Sequence, residues 1–162
     1  MRKVYGLLLG HPMNVSFIDE YVCGSARPMS RKELDWLIRE KGVKAVLSVI
    51  ETPLPADWLG DLADYKYVSV KNHTSPSISQ LSESVNFITG NVQAKNKVAV
   101  HCAAGKGRTG TVLAAYLCAT LHLSGEEAIE ELRAERGGSV EKNSGQEEAV
   151  IQFSQLLKQE KS

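Results

Sequence analysis

Ten residues, His101-Cys102-Ala103-Ala104-Gly105-Lys106-Gly107-Arg108-Thr109-Gly110, constrain this chain more than any other feature. They join an apolar strand candidate, Val98-Ala99-Val100, to a helix candidate running from about Arg108 through Leu117. A loop that leaves a strand and feeds a helix N-terminus gathers unpaired backbone N–H groups, which makes it an anion site. Small residues let those amides converge without side chains filling the hole. Arg108 adds a planar fork of donors matched to two oxygens of a phosphate. Cys102 then lies in positive potential. An ordinary thiol titrates near pH ~8.5, whereas helix N-termini and neighbouring cations lower it to roughly 3.5–7.5. The stretch therefore suits a thiolate nucleophile directed at phosphorus, cradled by Ala103, Ala104, Gly105, Lys106, Gly107 and Arg108.

Other readings of the same residues fail on their surroundings. Gly105, Gly107 and Gly110 spell G-x-G-x-x-G, the dinucleotide fingerprint, but that motif needs a second parallel strand and an acidic residue further on. Here Ser124-Gly125-Glu126-Glu127 opens another helix instead. A Walker loop needs Gly-Lys followed by Ser or Thr, and Lys106 precedes Gly107. A merely structural cysteine in a tight turn would leave Arg108 and the glycines without a purpose.

Around this loop the chain alternates strand and helix signals. Phe17–Cys23 reads as a strand ending at Gly24. Ser30-Arg31-Lys32-Glu33 is a capping box opening a helix that ends near Gly42. Val43–Ile50 is a near-continuous apolar run, the mark of a strand covered on both faces. A short helical turn around Asp57-Trp58-Leu59 precedes a strand at Tyr65–Val70 and an exposed loop at Lys71–Pro76. Ser77 and Ser124 each open a capped helix, the second ending at Gly137-Gly138, and a last helix spans roughly Gln146–Lys158. The helix after Arg108 is apolar nearly all round and should lie at the centre. The expected fold class is α/β, with a central, mainly parallel sheet of about four or five strands flanked by helices. The 162 residues suffice for one domain with a real core, spanning 1–162.

His101, Cys102, Arg108 and Thr109 fit H-C-x5-R-[S/T], and the chain thereby resembles the cysteine-dependent protein tyrosine and dual-specificity phosphatases, in particular their small atypical and archaeal members. Tyr21–Pro28 and Arg136–Glu141 support the likeness. The resemblance implies a phosphatase-like fold and hydrolysis of phosphate monoesters through a cysteinyl-phosphate on Cys102, with no cofactor and no metal. Thr109 is expected to hydrogen-bond the sulfur. His101 is expected to order the loop rather than to transfer a proton. The family's proton-donating aspartate would fall at Asn72, and an asparagine cannot act as an acid. His73, Glu141 (where some small members carry a glutamate) and the earlier Asp57, Asp61 and Asp64 remain candidates. Gln146 could position water, but it reads first as an exposed helix-start glutamine. A phosphate-binding module without efficient chemistry is the competing reading. Phosphotyrosine or mixed protein substrates are the default; Lys106 keeps phosphoinositides and small polyphosphorylated metabolites in view.

Lysine plus arginine equals aspartate plus glutamate at 19 each, which argues against bulk attraction to nucleic acid or membrane, so any affinity for phosphate is local. Met1-Arg2-Lys3 before Val4–Gly10 imitates the start of a signal peptide but lacks a small-residue cleavage pattern, and 1–16 is read as an arm or strand. Three cysteines, Cys23, Cys102 and Cys118, an odd number, fit a reducing cytoplasm. Cys118 belongs to the apolar helix core, and Cys23 is read the same way. A monomer is expected.

Overall fold

The computed structural model describes residues 10–161. Most of the expected N-terminal arm lies outside them. A five-stranded sheet runs in the order β1-β2-β5-β3-β4, with β1 Ser16–Phe17, β2 Val22–Ser25, β3 Val43–Ile50, β4 Asp64–Ser69 and β5 Lys97–His101. Every pairing is parallel except β1 with β2, where Phe17 faces Cys23. The single strand expected at Phe17–Cys23 is thus two strands. Asp19 makes the reversal, its carboxylate accepting from the amides of Tyr21 and Val22 at 2.8 Å each.

The helices are α1 Arg31–Glu40, α2 Ile78–Gln93, α3 Gly107–Leu121, α4 Gly125–Glu135 and α5 Gln146–Glu160, with a 3-10 helix at Ala56–Asp61. Ser30, Ser77 and Ser124 cap α1, α2 and α4 through their side chains, as the sequence predicts. Side chains alternate across the central strand. Val98 and Val100 join the larger core beneath α2–α5, and Ala99 joins Cys23, Leu34 and Leu37 beneath α1. In β3 a bulge between Val43 and Ala45 exposes Lys44 and puts Val43 and Val46 on the α1 side.

Helix α3 is buried from Arg108 through Cys118, so it forms the axis of the molecule. Side chains such as Leu113, wholly enclosed, each contribute roughly 1.5–3 kcal/mol of transfer free energy. The carboxyl ends of β2, β5, β3 and β4 all point one way. Open parallel sheets bind ligands beyond that edge, and the loops that leave it are Ala26–Arg27, Cys102–Lys106, Glu51 and Val70–Pro76. No described helix is long and apolar enough to cross a membrane.

Candidate active site

Cys102 follows the last residue of β5 directly and is 3% exposed. Beyond it the loop turns sharply. Gly105 has φ +76, and a Cβ there would lie 2.5 Å from the Ser25 carbonyl, so no other residue fits without moving β2. Among the described residues, no hydrogen bond engages the amides of Ala103, Ala104, Lys106, Gly107 or Arg108. Burial pushes the Cys102 thiol up, yet the Thr109 hydroxyl, the amides of Thr109 and Gly105 and the Arg108 charge together hold it below the ordinary thiol value. The Thr109 hydroxyl is buried with no oxygen or nitrogen partner, which leaves it for the sulfur.

Arg108 is 3% exposed, and a single nitrogen of its guanidinium holds it in place. Nη1 donates to Glu51 Oε1 at 2.6 Å and to the Val70 carbonyl at 2.7 Å. Among the described residues Nε and Nη2 have no hydrogen-bond acceptor, so a two-donor edge stays available to an oxyanion in the cleft. The hydrogen bond from Arg108 pulls Glu51 down to about 2, so that carboxyl stays ionised at any ordinary pH. Its other oxygen accepts from the Asn72 amide at 3.0 Å.

Beneath the loop, His101 is enclosed and lowered to about 4, chiefly because burial penalises its cation. Nδ1 lies 3.0 Å from the Cys102 carbonyl, which can only accept, so the neutral ring carries its proton there and Nε2 is an acceptor. Ser48 Oγ, 2.6 Å away, must then donate to Nε2. Ser48 accepts in turn from the Tyr65 hydroxyl at 2.8 Å, which accepts from the Leu54 amide at 3.0 Å. The expectation that His101 orders the loop agrees with this row of bonds.

The cleft above Cys102 encloses about 720 Å³. Asn72, His73, Lys106, Glu141, Lys142 and Gln146 share its lining with the loop. His73 Nδ1 meets Glu141 Oε1 at 2.7 Å, so two residues 68 apart in sequence form one hydrogen-bonded unit facing the cleft. Asn72 accepts from the His73 amide through its side chain, a turn role rather than an acidic one. Asp57, Asp61 and Asp64 do not line the cleft. Asp57 and Asp61 belong to the 3-10 helix, and Asp64, at the opposite end of β4, accepts from Asn91. Gln146 corrects the sequence reading. It is fully buried, accepts from the Glu141 amide at 2.7 Å and donates to the Thr74 carbonyl at 3.0 Å. One amide thus ties together the two loops that carry His73 and Glu141. Val140, beside Glu141, has φ +60, a strained setting for a β-branched residue. Arg133 fixes it by donating to the Ser139 and Val140 carbonyls.

Sequence reasoning missed Glu51, Ser48, Tyr65 and the role of Arg136 described below. Only Glu51 left a signal: it is the first polar residue after the apolar run of β3, at the carboxyl end of a buried parallel strand.

A cysteine set on the floor of an anion cradle, at the carboxyl edge of a mainly parallel sheet, defines a phosphatase-type fold and site. The chain belongs to the family described as "Swiss Army Knife protein, DSP-PTPase phosphatase domain", which matches residues 13–150. It is 37% identical over 87 residues to mouse "Protein tyrosine phosphatase domain-containing protein 1", covering 54% of this chain and 11% of that protein. The chain thus spans about a tenth of the first curated relatives it matches. It is 31% identical over 144 residues to "Phosphatidylglycerophosphate phosphatase PTPMT2" of Arabidopsis thaliana, covering 86% of this chain and 62% of that one. Among solved structures, Tk-PTP in its active form superposes with a TM-score of 0.80 at 32% identity, covering 88% of this chain and 97% of that chain.

Proposed function

We propose that the protein hydrolyses phosphate monoesters through a cysteinyl-phosphate on Cys102. The observation that carries this is the thiol itself, buried on the cleft floor and held below its ordinary pKa under the free edge of Arg108. The thiolate attacks phosphorus in line; an S–P bond forms, the ester P–O bond breaks, and its electron pair leaves with the alcohol or phenol oxygen. The unpaired amides from Ala103 to Arg108 and the Arg108 fork hold the three equatorial oxygens as their charge grows. Water then attacks phosphorus, giving up a proton to the group that protonated the leaving oxygen; the S–P bond breaks, and inorganic phosphate and thiolate are released. Thr109 favours that second departure by donating to the sulfur. The leaving oxygen takes its proton from the His73–Glu141 unit, the ionisable pair that faces the cleft from the opposite wall. Asn72 supplies no proton.

Phosphotyrosine and phosphoserine or phosphothreonine in proteins are the first substrate class. A second reading rests on Lys106 and Lys142, which line the cleft with no carboxylate partner among the described residues, and on the similarity to a phosphatidylglycerophosphate phosphatase. A substrate with a further anionic group, such as a phospholipid headgroup, would engage both lysines. The three cysteines are free, and a reducing, cytoplasmic setting suits them.

Hydrolysis of p-nitrophenyl phosphate in EDTA tests the reading. Turnover should survive the chelator and vanish in Cys102→Ser. Turnover that the chelator abolishes overturns it in favour of metal-dependent chemistry, activity that persists in the variant in favour of another nucleophile, and a folded and reduced wild type that binds phosphate without turning it over in favour of a binding module.

A further inference from the structure

Arg136 is the second buried guanidinium beneath the loop, and it differs from Arg108 in having no acid. It is 3% exposed. Nη1 donates to the carbonyls of Asn14 and Gly24 at 3.0 and 3.2 Å and to Ser16 Oγ at 2.6 Å, and Nη2 donates to the Gly105 carbonyl at 2.6 Å. All four acceptors are neutral, and Nε is buried with no partner. The space is purpose-built, because a Cβ on Gly24 would come within 2.8 Å of the Arg136 Cζ. An enclosed cation without a counter-charge is costly. Burial lowers Arg136 below its ordinary value, and the charges of Cys23 and Cys102 act against that lowering.

We propose that Arg136 is a positioning residue of the loop: its Nη2 fixes the Gly105 carbonyl so that the loop amides, that of Gly105 among them, face the Cys102 sulfur, and its enclosed charge, which no carboxylate neutralises among the described residues, adds to the positive potential there. This deepens the phosphatase reading and rests on it for its purpose, not for its test. The other charged groups around Cys102 are engaged elsewhere or exposed. Arg108 is already paired with Glu51, His101 is held neutral, and burial pushes Cys23 up to about 12, so it stays a thiol. His73 and Glu141 hydrogen-bond each other on the opposite wall, Arg27 donates to the Thr52 and Pro53 carbonyls, Arg133 pairs with Glu147, and Lys106 and Lys142 are exposed.

The measurement is the pH dependence of iodoacetamide alkylation at Cys102, with Cys102→Ser as the blank for Cys23 and Cys118. It reads the sulfur whether or not phosphate is turned over, so failure of this proposal is distinct from failure of the phosphatase reading. In Arg136→Met the alkylation midpoint should rise by about one pH unit or more, a tenfold loss of thiolate at a given pH, with the circular dichroism spectrum unchanged. Arg136→Lys, which keeps the charge but cannot reach all four acceptors, should hold the midpoint near wild type and lower kcat/KM on p-nitrophenyl phosphate. An unchanged midpoint in folded Arg136→Met overturns the proposal. Should that variant fail to fold, Gly24→Ala, which displaces the guanidinium without removing it, carries the test. The same upward shift is expected, and its absence overturns the proposal.

Discussion

The two walls of the cleft are built to different standards. On one, Cys102, Arg108 and Thr109 are each within 3% of complete burial, and the loop is tied to β2, to α3 and to Arg136. On the other, residues 71–74 are exposed, and the His73 side chain keeps 71% of its accessible surface. That wall is held by three polar links: Glu51 to the Asn72 amide, Gln146 to the Thr74 carbonyl, and Glu141 to His73. Stabilising charge on a phosphoryl group depends on fixed dipoles, which a packed wall supplies. Delivering a proton to leaving groups of different size tolerates a looser support.

If that division holds, damage to the packed wall should be indifferent to the leaving group. Arg108→Lys keeps a charge but loses the planar fork, and kcat/KM should drop roughly 10²–10³-fold on aryl and alkyl phosphates alike. A large difference between the two substrates would break the comparison. Damage to the exposed wall should be selective. His73→Asn should lower kcat on an alkyl phosphate by about 10²-fold and on p-nitrophenyl phosphate by a few-fold, since nitrophenolate leaves without a proton. Equal losses would place His73 among the structural residues.

The smallest expected effect is on stability. His101 titrates near 4 when folded and near 6.5 when unfolded, so the unfolded chain binds more protons between those values. Stability attributable to it is complete above pH ~6.5 and declines as the pH falls to about 4, by up to about 3 kcal/mol. Glu51, lowered to about 2 from 4.5, adds a second acid decline below that window. Melting temperatures of wild type and His101→Asn, compared from pH 7 to 4, should converge toward the acid end. Parallel curves would mean that the ring is not buried neutral.

Legibility followed the same division. The packed wall could be read in advance because its chemistry is contiguous: a strand, small residues and the start of a helix, all within Lys97–Leu121. Three serine caps and the double-sided apolar run of β3 were equally local. The exposed wall was only half legible, since His73 and Glu141 could be named as separate candidates but their 2.7 Å contact depends on where two loops meet. Gln146 was misread for the same reason. A helix-start glutamine is ordinarily solvated, and here α5 begins inside the seam between those loops. The hairpin at Asp19 was lost because strand and turn residues interleave within a few positions.

The row of bonds from the Leu54 amide to the Cys102 carbonyl has one more consequence. Its two ends are backbone groups of fixed polarity, a donor at Leu54 and an acceptor at Cys102. Between them stand two hydroxyls and one imidazole, each with a single proton to place. Only one arrangement of those three protons satisfies every link, so the row is proton-ordered, with no second microstate for the hydroxyls to visit. Removing a proton from the row would leave one link without a hydrogen, and adding one to the ring would reverse the bond between Ser48 and His101 and free the serine's own hydrogen from the row. The loop is thereby supported by a part of the protein that is insensitive to rotation of its own hydrogens.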